Sequence, residues 1–468
     1  MGGSPRGRVV VEAALFDDDA RLLWAVPVAG LPLLARQILC LRHAGISEVE
    51  LAADPIHHET LRRALQRVPV SQHRGVAIVD GVQPIDVTLP GTLILRADLV
   101  IDPRALRQLI QVSREHGQTA ICVDRFAENY PASAKSPFAV GAPGGGDGRV
   151  ADASAVSRGN LAPIGADLHA SAPSGSGADA SSAVFLDIGR YGWHRVHAAA
   201  DAADATWKIL LSTIKPTDGV YAKTNRQVSM RISRLLLPTA VTPNQVTLVG
   251  LLCSGVAGAV MAGGTYLSFV VGGCLAWFAS MIDGVDGELA RAKFQATALG
   301  HWLEMTCDYA FYLVVVSGYG VGLYQASGSR VWLQMAVAGL VGVVLGFLAV
   351  ARDKRMYAKW EPDGDYYLAF QRRTSAHASN PIYRFTRLCN FLVSRGAFPY
   401  FIVAFAVLGL SKLMFLMVLV GTHLSWILTL YAGRLKPTPA LAAAAGPRSG
   451  RGAPLVVARA QPAGDESA

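Results

Sequence analysis

Between Asp283 and Asp308 the chain reads Asp283-Gly284-Val285-Asp286-Gly287-Glu288-Leu289-Ala290-Arg291, then eight residues, then Gly300, Glu304 and Asp308. Apolar runs flank the stretch on both sides, Phe269–Ile282 before it and Tyr309–Val321 after it. The carboxylates Asp283, Asp286, Glu304 and Asp308 therefore stand at the edges of two candidate membrane helices; within hydrocarbon a charged group costs about 2.5–3.5 kcal/mol on insertion scales. On a helix Asp283 and Asp286, at i,i+3, share a face. Glu304 and Asp308, at i,i+4, share another, with Gly300 one turn earlier. Antiparallel contact through these faces would gather the four acids, and Gly287 and Gly300 would admit a backbone or ligand at close range. Oxygen-only ligands favour a hard divalent cation, Mg²⁺ or Mn²⁺. Two such ions bridged by shared carboxylates would bind a pyrophosphate and stabilise charge during phosphoryl displacement. The competing interpretation is a set of solvated helix-end acids. Four acids, two glycines and an arginine in one register weigh against it.

The pattern D-x2-D-G-x2-A-R-x8-G-x3-D-x3-D resembles the signature of the CDP-alcohol phosphotransferases, which are integral membrane enzymes. The chain matches it at Asp283, Asp286, Gly287, Ala290, Arg291, Gly300 and Asp308 with every interval intact, and departs at Glu304, where the family has Asp. The glutamate keeps the charge and the oxygen ligands but reaches about one carbon–carbon bond further. The resemblance implies that Asp283, Asp286, Glu304 and Asp308 are metal ligands. It also implies that Asp308 is the general base for the acceptor hydroxyl, and that Gly287, Ala290, Arg291 and Gly300 line the cytidine-diphosphate pocket. Lys215-Pro216-Thr217-Asp218-Gly219 and Thr242-Pro243-Asn244 resemble the same family's approach to its first span, so Lys215 and Asp218 would border that pocket. A homodimer is expected from the same likeness.

The elements that must hold such a site differ sharply between the two halves of the chain. The protein has 468 residues, 51% of them hydrophobic, and the strongest apolar runs fall after residue 245. Short apolar runs at Val9–Val11, Val49–Ala53, Val76–Val79, Leu93–Leu95 and Ala120–Val123 alternate with helix-like stretches at Pro32–Ala44, His58–Arg67 and Pro103–His116. That alternation predicts an N-terminal α/β domain, an open Rossmann-like sheet with crossover helices, over residues 1–200. Ala29–Gln37 and Leu93–Asp98 resemble the sugar-phosphate nucleotidyltransferase fold, which makes Asp98 a candidate metal ligand; Asp187 could be a second. The phosphate loop is missing: Ala14-Leu15-Phe16-Asp17-Asp18-Asp19 puts three acids where a triphosphate needs backbone amides. The domain is therefore expected to be degenerate. Residues 136–182 are rich in Gly, Ala, Ser and Pro and are expected to form a flexible insertion.

Residues 201–244 are expected to be a linker and a juxtamembrane amphipathic helix. Arg226, Arg231 and Arg234 set against Ile232, Leu235 and Leu236 suit the headgroup layer. A span needs about 20 apolar residues. Six candidates, 245–262, 265–287, 298–324, 331–351, 398–411 and 413–432, predict an all-α polytopic membrane bundle of six transmembrane helices over 245–435. Arg291 and Lys293 follow the second run, and a dense basic stretch from Arg352 to Arg395 follows the fourth. By loop charge both termini and the acids would face the cytosol, in a cell inner membrane. Arg395, just before a span, is the candidate for an anionic acceptor. Residues 436–468 are expected to be disordered, and the segment Met1–Arg8 leads into no apolar core of a signal peptide.

The formal charge of +9 suits an anionic lipid leaflet, and no aromatic-interleaved basic stripe points to nucleic acid. The six cysteines form no C-x-x-C pair and are expected to be reduced thiols. The expected function is Mg-dependent transfer of a phospho-alcohol from a CDP-alcohol to an acceptor hydroxyl with release of CMP. A nucleotidyltransferase-like domain ahead of the membrane domain resembles the subgroup of bifunctional inositol-1-phosphate cytidylyltransferase and di-inositol-phosphate-phosphate synthase, which raises an inositol phosphate as acceptor. Two alternatives stand beside it: a CDP-diacylglycerol-dependent phospholipid synthase, making phosphatidylinositol phosphate or phosphatidylglycerol phosphate, and a non-catalytic scaffold or ion path.

Overall fold

A computed structural model describes residues 6–10, 25–65, 75–80, 93–96, 99–107, 110, 120–123, 139–140, 184–187, 193–196, 198–214, 220–358, 370, 380, 382, 385 and 396–434. The chain divides after Ser212 into two units.

In the N-terminal unit the short apolar runs become strands. They are β1 (Arg6–Val10), β2 (Pro27–Val28), β3 (Leu31–Pro32), β4 (Glu48–Ala53), β5 (Val76–Asp80), β6 (Leu93–Arg96), β7 (Leu99–Ile101), β8 (Ala120–Val123), β9 (Ala139–Val140), β10 (Val184–Asp187) and β11 (Trp193–Arg195). Seven form one sheet in the order β10-β8-β9-β6-β1-β4-β5. Its β6-β1-β4-β5 run is parallel, and β9 enters antiparallel between β6 and β8. Helix α1 (Leu33–His43) is buried from Leu33 through Leu41, including Arg36. The Arg36 guanidinium donates to the carbonyls of Val28 (3.0 Å) and Ala29 (3.1 Å), which belong to the tight β2–β3 turn where Ala29 has φ +48. Burial lowers its pKa to about 10, so the cation persists at neutral pH. Helix α2 (His58–Leu65) follows β4, and α3 (Ala202–Ser212) closes the unit. Pro32 precedes the first turn of α1 instead of lying within it. The acidic loop 14–19, Asp98 and the tail 436–468 lie outside the described residues, as does the expected flexible insertion 136–182 except for Ala139–Val140, which pair with β6 and β8 as β9 instead of forming part of a linker.

The second unit is helical: α4 (Val220–Leu236), α5 (Pro243–Met261), α6 (Tyr266–Ala292), α7 (Ala298–Ser327), α8 (Val331–Ala358), α9 (Phe398–Val407) and α10 (Ser411–Ala432). Their starts are written in the sequence. Thr242 and Gln245 form a capping box with Pro243 in the first turn of α5, Thr265 and Ser268 cap α6, and Thr297 caps α7. Four helices are long and apolar enough to cross a membrane: Pro243–Met261, Tyr266–Ala292, Val331–Met356 and Ser411–Ala432. The expected bundle of six spans is thereby corrected to four among the described residues. Helix α7 has the length, but Glu304, Asp308, four tyrosines and a Gly/Ser-rich middle lower its hydropathy. Helix α9 has ten residues, about 15 Å against a hydrocarbon core of about 30 Å. It ends where Gly409 turns the chain at φ +72.

Phe269, Ala276, Phe311, Val315, Tyr319, Phe398 and Phe415 centre the helical core. Small residues let α5 and α7 meet backbone to backbone: a Cβ on Gly318 would collide with the carbonyl group of Gly258. The link from α6 to α7 is a Schellman turn, with Gln295 N–H on Ala290 O (2.8 Å) and Phe294 N–H on Arg291 O (3.4 Å). Its left-handed residue is Phe294, at φ +57. Buried Lys293 donates through Nζ to the carbonyls of Thr239 (2.8 Å), Val241 (3.0 Å) and Leu236 (3.4 Å), tying this turn to the link after α4. Burial lowers the Lys293 pKa.

Two substitutions test this account by thermal unfolding of the detergent-solubilised protein. Gly318→Val should destabilise by about 1–3 kcal/mol through overpacking. Lys293→Met should cost about 1.5–3 kcal/mol by removing a charged donor from its carbonyls.

Candidate active site

Three helices meet around Asp286. It is 3% exposed on α6, and its Oδ2 accepts a short hydrogen bond from the Thr247 hydroxyl of α5. Its Oδ1 is buried with no hydrogen-bond partner. From α7, Glu304 and Asp308 lie within charge–charge reach of it. The acids at i,i+3 on α6 and at i,i+4 on α7 thus come from two helices joined by one tight turn. Asp283 is half-buried, one turn before Asp286. Glu304 is partly exposed, with the His301 ring 3.7 Å away. Among the described residues no three His, Cys, Asp or Glu side chains stand close enough to form a ready-made metal group.

The glycines and the arginine of the motif lie beside these acids. The Arg291 guanidinium covers Gly287, where an added Cβ would meet Nη1 at 3.1 Å and Nη2 at 3.2 Å. A side chain on Gly300 would meet Thr297 Oγ1 at 3.1 Å and Asn244 Oδ1 at 3.2 Å, so Gly300 is where the starts of α5 and α7 converge. Ala290 is half-buried on α6. At the end of α8, Lys354 contacts His301, and Lys354 Nζ and Arg355 Cζ stand 5.4 and 5.8 Å from the Trp302 ring centroid. A cationic rim therefore adjoins the acids. Lys215, Asp218 and Arg395 lie outside the described residues, and Asp187 ends β10.

Sequence reasoning did not single out Thr247, Glu288 or the polar face of α4. Glu288 is fully buried: Oε1 accepts from Ser229 Oγ (2.6 Å) and Arg226 Nη1 (3.0 Å), and Oε2 from Ser233 Oγ (2.5 Å). Asn225 Oδ1 accepts from Tyr400 OH (2.8 Å) and Trp277 Nε1 (3.2 Å). The signal was present as Asn225, Ser229 and Ser233, a small polar stripe at i,i+4,i+8. Helix α4 buries that stripe and exposes Arg231, Arg234, Val228 and Leu235, the last at 74%. Its outward face is thus both basic and apolar, a composition that suits a headgroup layer.

Comparison with known proteins adds the family. Residues 240–378 match the CDP-alcohol phosphatidyltransferase family. The bifunctional IPC transferase and DIPP synthase of Aquifex aeolicus is 30% identical over 247 residues, covering 52% of this chain and 51% of that protein. The protein of the same description from Thermococcus kodakarensis is 30% identical over 182 residues, 38% of this chain and 39% of its own length. The phosphatidylinositol phosphate synthase of Mycobacterium tuberculosis is 37% identical over 82 residues, 18% of this chain and 37% of that one. The chain therefore spans about half the length, or less, of the curated relatives it matches. Its C-terminal part is a membrane-embedded CDP-alcohol phosphotransferase-family domain, homologous to that of the bifunctional IPC transferase and DIPP synthases.

Proposed function

We propose that the protein transfers a phospho-alcohol group from a CDP-alcohol to the hydroxyl of an anionic acceptor, releasing CMP. The observation that carries this reading is a buried Asp286 within charge–charge reach of Glu304 and Asp308, on a helix where the Arg291 guanidinium lies over Gly287. Asp308 takes the proton from the acceptor hydroxyl, whose oxygen attacks the phosphorus bearing the donor alcohol as the bond to CMP breaks. Arg291 faces the phosphates of the nucleotide, and Gly287, Ala290 and Gly300 leave room for it, with Lys215 and Asp218 at the pocket's border.

The donor chemistry fits a hard divalent cation. Asp286 Oδ1 is a buried carboxylate oxygen with no hydrogen-bond partner, and the neighbouring ligands are oxygens. Asp283, Asp286, Glu304 and Asp308 would hold Mg²⁺ or Mn²⁺, in two ions. When bound, such ions neutralise the pyrophosphate charge.

An inositol phosphate is the acceptor class we favour. Support comes from the cationic rim of Lys354 and Arg355 and from the described activity of the Aquifex relative. Arg395 is a further candidate for the acceptor's phosphate. The 37% identity to a phosphatidylinositol phosphate synthase favours a second reading, with CDP-diacylglycerol as donor. In either case we place both termini and the acids at the cytosolic face of a cell inner membrane, in a homodimer. The N-terminal unit is read as a nucleotidyltransferase-like domain that has lost its phosphate loop.

Purified protein with Mg²⁺, an inositol phosphate acceptor and either radiolabelled CDP-inositol or CDP-diacylglycerol separates the readings by which donor yields CMP. Asp308→Asn should lower CMP release by about 10²–10⁴-fold, the contribution of a general base. Retained turnover in that variant removes Asp308 from the role. Chelation with EDTA should stop CMP release and added Mg²⁺ should restore it. CMP release from no donor would leave a scaffold.

A further inference from the structure

We infer that Glu288 is a positioning residue: clasped by Arg226, Ser229 and Ser233 of α4, it fixes the rotation of α6 so that Asp283 and Asp286 face α7. Glu288 lies outside the proposed ligand set and shares no hydrogen-bond partner with Asp286, whose donor is Thr247 on α5. The two acids leave α6 on opposite sides. At about 100° per residue, Glu288 is about 160° round the helix from Asp286, while Gly284 lies on its own face one turn earlier.

The clasp also reaches the backbone. Arg226 Nη1, 3.0 Å from Glu288 Oε1, donates to the Gly284 carbonyl at 2.9 Å, one residue after Asp283. An added Cβ on Gly284 would meet Ser229 Oγ at 3.1 Å and Arg226 Nη1 at 3.2 Å, so α4 and α6 approach here without an intervening side chain. Ser229 and Ser233 are fully buried, as is Glu288. The close approach at Gly272 sets the apolar packing of α6 near its start, more than three turns from Glu288, and the clasp fixes rotation at the other end. A buried carboxylate that must keep two hydroxyls and a guanidinium allows one rotation there, because turning it away strands a charge without partners.

The inference rests on the reading of Asp283 and Asp286 as site carboxylates. Two measurements on the full-length protein in detergent test it. The first is CMP release against donor concentration. Glu288→Ala should lower kcat by about 10–100-fold with little change in the donor's KM, the signature of misplaced reacting groups. Glu288→Gln, which still accepts from Arg226 and Ser229, should recover part of that loss, and Ser229→Ala/Ser233→Ala should fall between. The second needs no turnover: the maleimide labelling rate of Asp283→Cys, above the native-thiol background, should change several-fold when Glu288→Ala is added. Wild-type kcat together with unchanged labelling in a folded Glu288→Ala variant overturns the inference. If that variant does not fold, the same pair of results in Glu288→Gln and Ser229→Ala/Ser233→Ala overturns it. If the wild-type protein releases CMP from no donor, the functional reading fails and the labelling comparison still decides this one.

Discussion

A carboxylate on an apolar helix must find a partner before the helix can pack, and that constraint organises the membrane unit. Helix α6 carries three acids near one end, and two of them, Asp286 and Glu288, are buried. Each is met by a different neighbour. Thr247 comes from α5, and Arg226, Ser229 and Ser233 from α4. Leaving either charge unpaired costs more than most single contacts return. The neighbours of α6 are thus specified by polar chemistry at its motif-bearing end and by apolar packing along the rest.

The packing half of that division depends on the absence of side chains. Gly258 and Gly318 bring α5 and α7 into backbone contact, and Gly272 and Gly322 do the same for the pairing of α6 and α7 with the end of α5. Between helices whose surroundings are themselves apolar, shape is the main source of specificity, and small residues supply it. Two of these glycines, Gly318 and Gly322, also lower the hydropathy of α7. A helix that is long, central to the core and rich in Gly, Ser and Tyr therefore does not read as a membrane span by composition.

Much of this was legible beforehand. Capping at Thr242 was written as Thr-Pro-Asn, and the strand runs of the N-terminal unit declared themselves as short apolar segments between polar ones. The acid spacing of the motif marked two helix faces. Span counting erred where length and hydropathy separate: α7 is long, but its acids, tyrosines and glycines keep it short of a span's hydropathy, and the run at 398–411 breaks after ten residues. The polar face of α4 was missed because arginines and leucines dominate its pattern. Arg231, Arg234 and Leu235 are exposed, but Arg226, expected with them at the headgroup layer, turns inward to Glu288, and the informative residues beside it were three inconspicuous ones, Asn225, Ser229 and Ser233. Glu288 passed for a spacer inside the motif because its role depends on a helix more than fifty residues away in sequence.

The turn between α6 and α7 has a consequence of its own. Lys293–Thr297 is closed at one end by the Schellman bonds around Phe294 and at the other by the Thr297 cap, so little slack remains in it. Adding or deleting a single residue there would swing Glu304 and Asp308 by about 100° about the axis of α7 and away from Asp286. The link can therefore exchange side chains far more freely than it can change length, and the eight-residue gap between Arg291 and Gly300 acts as the ratchet setting for the rotation of α7 relative to α6.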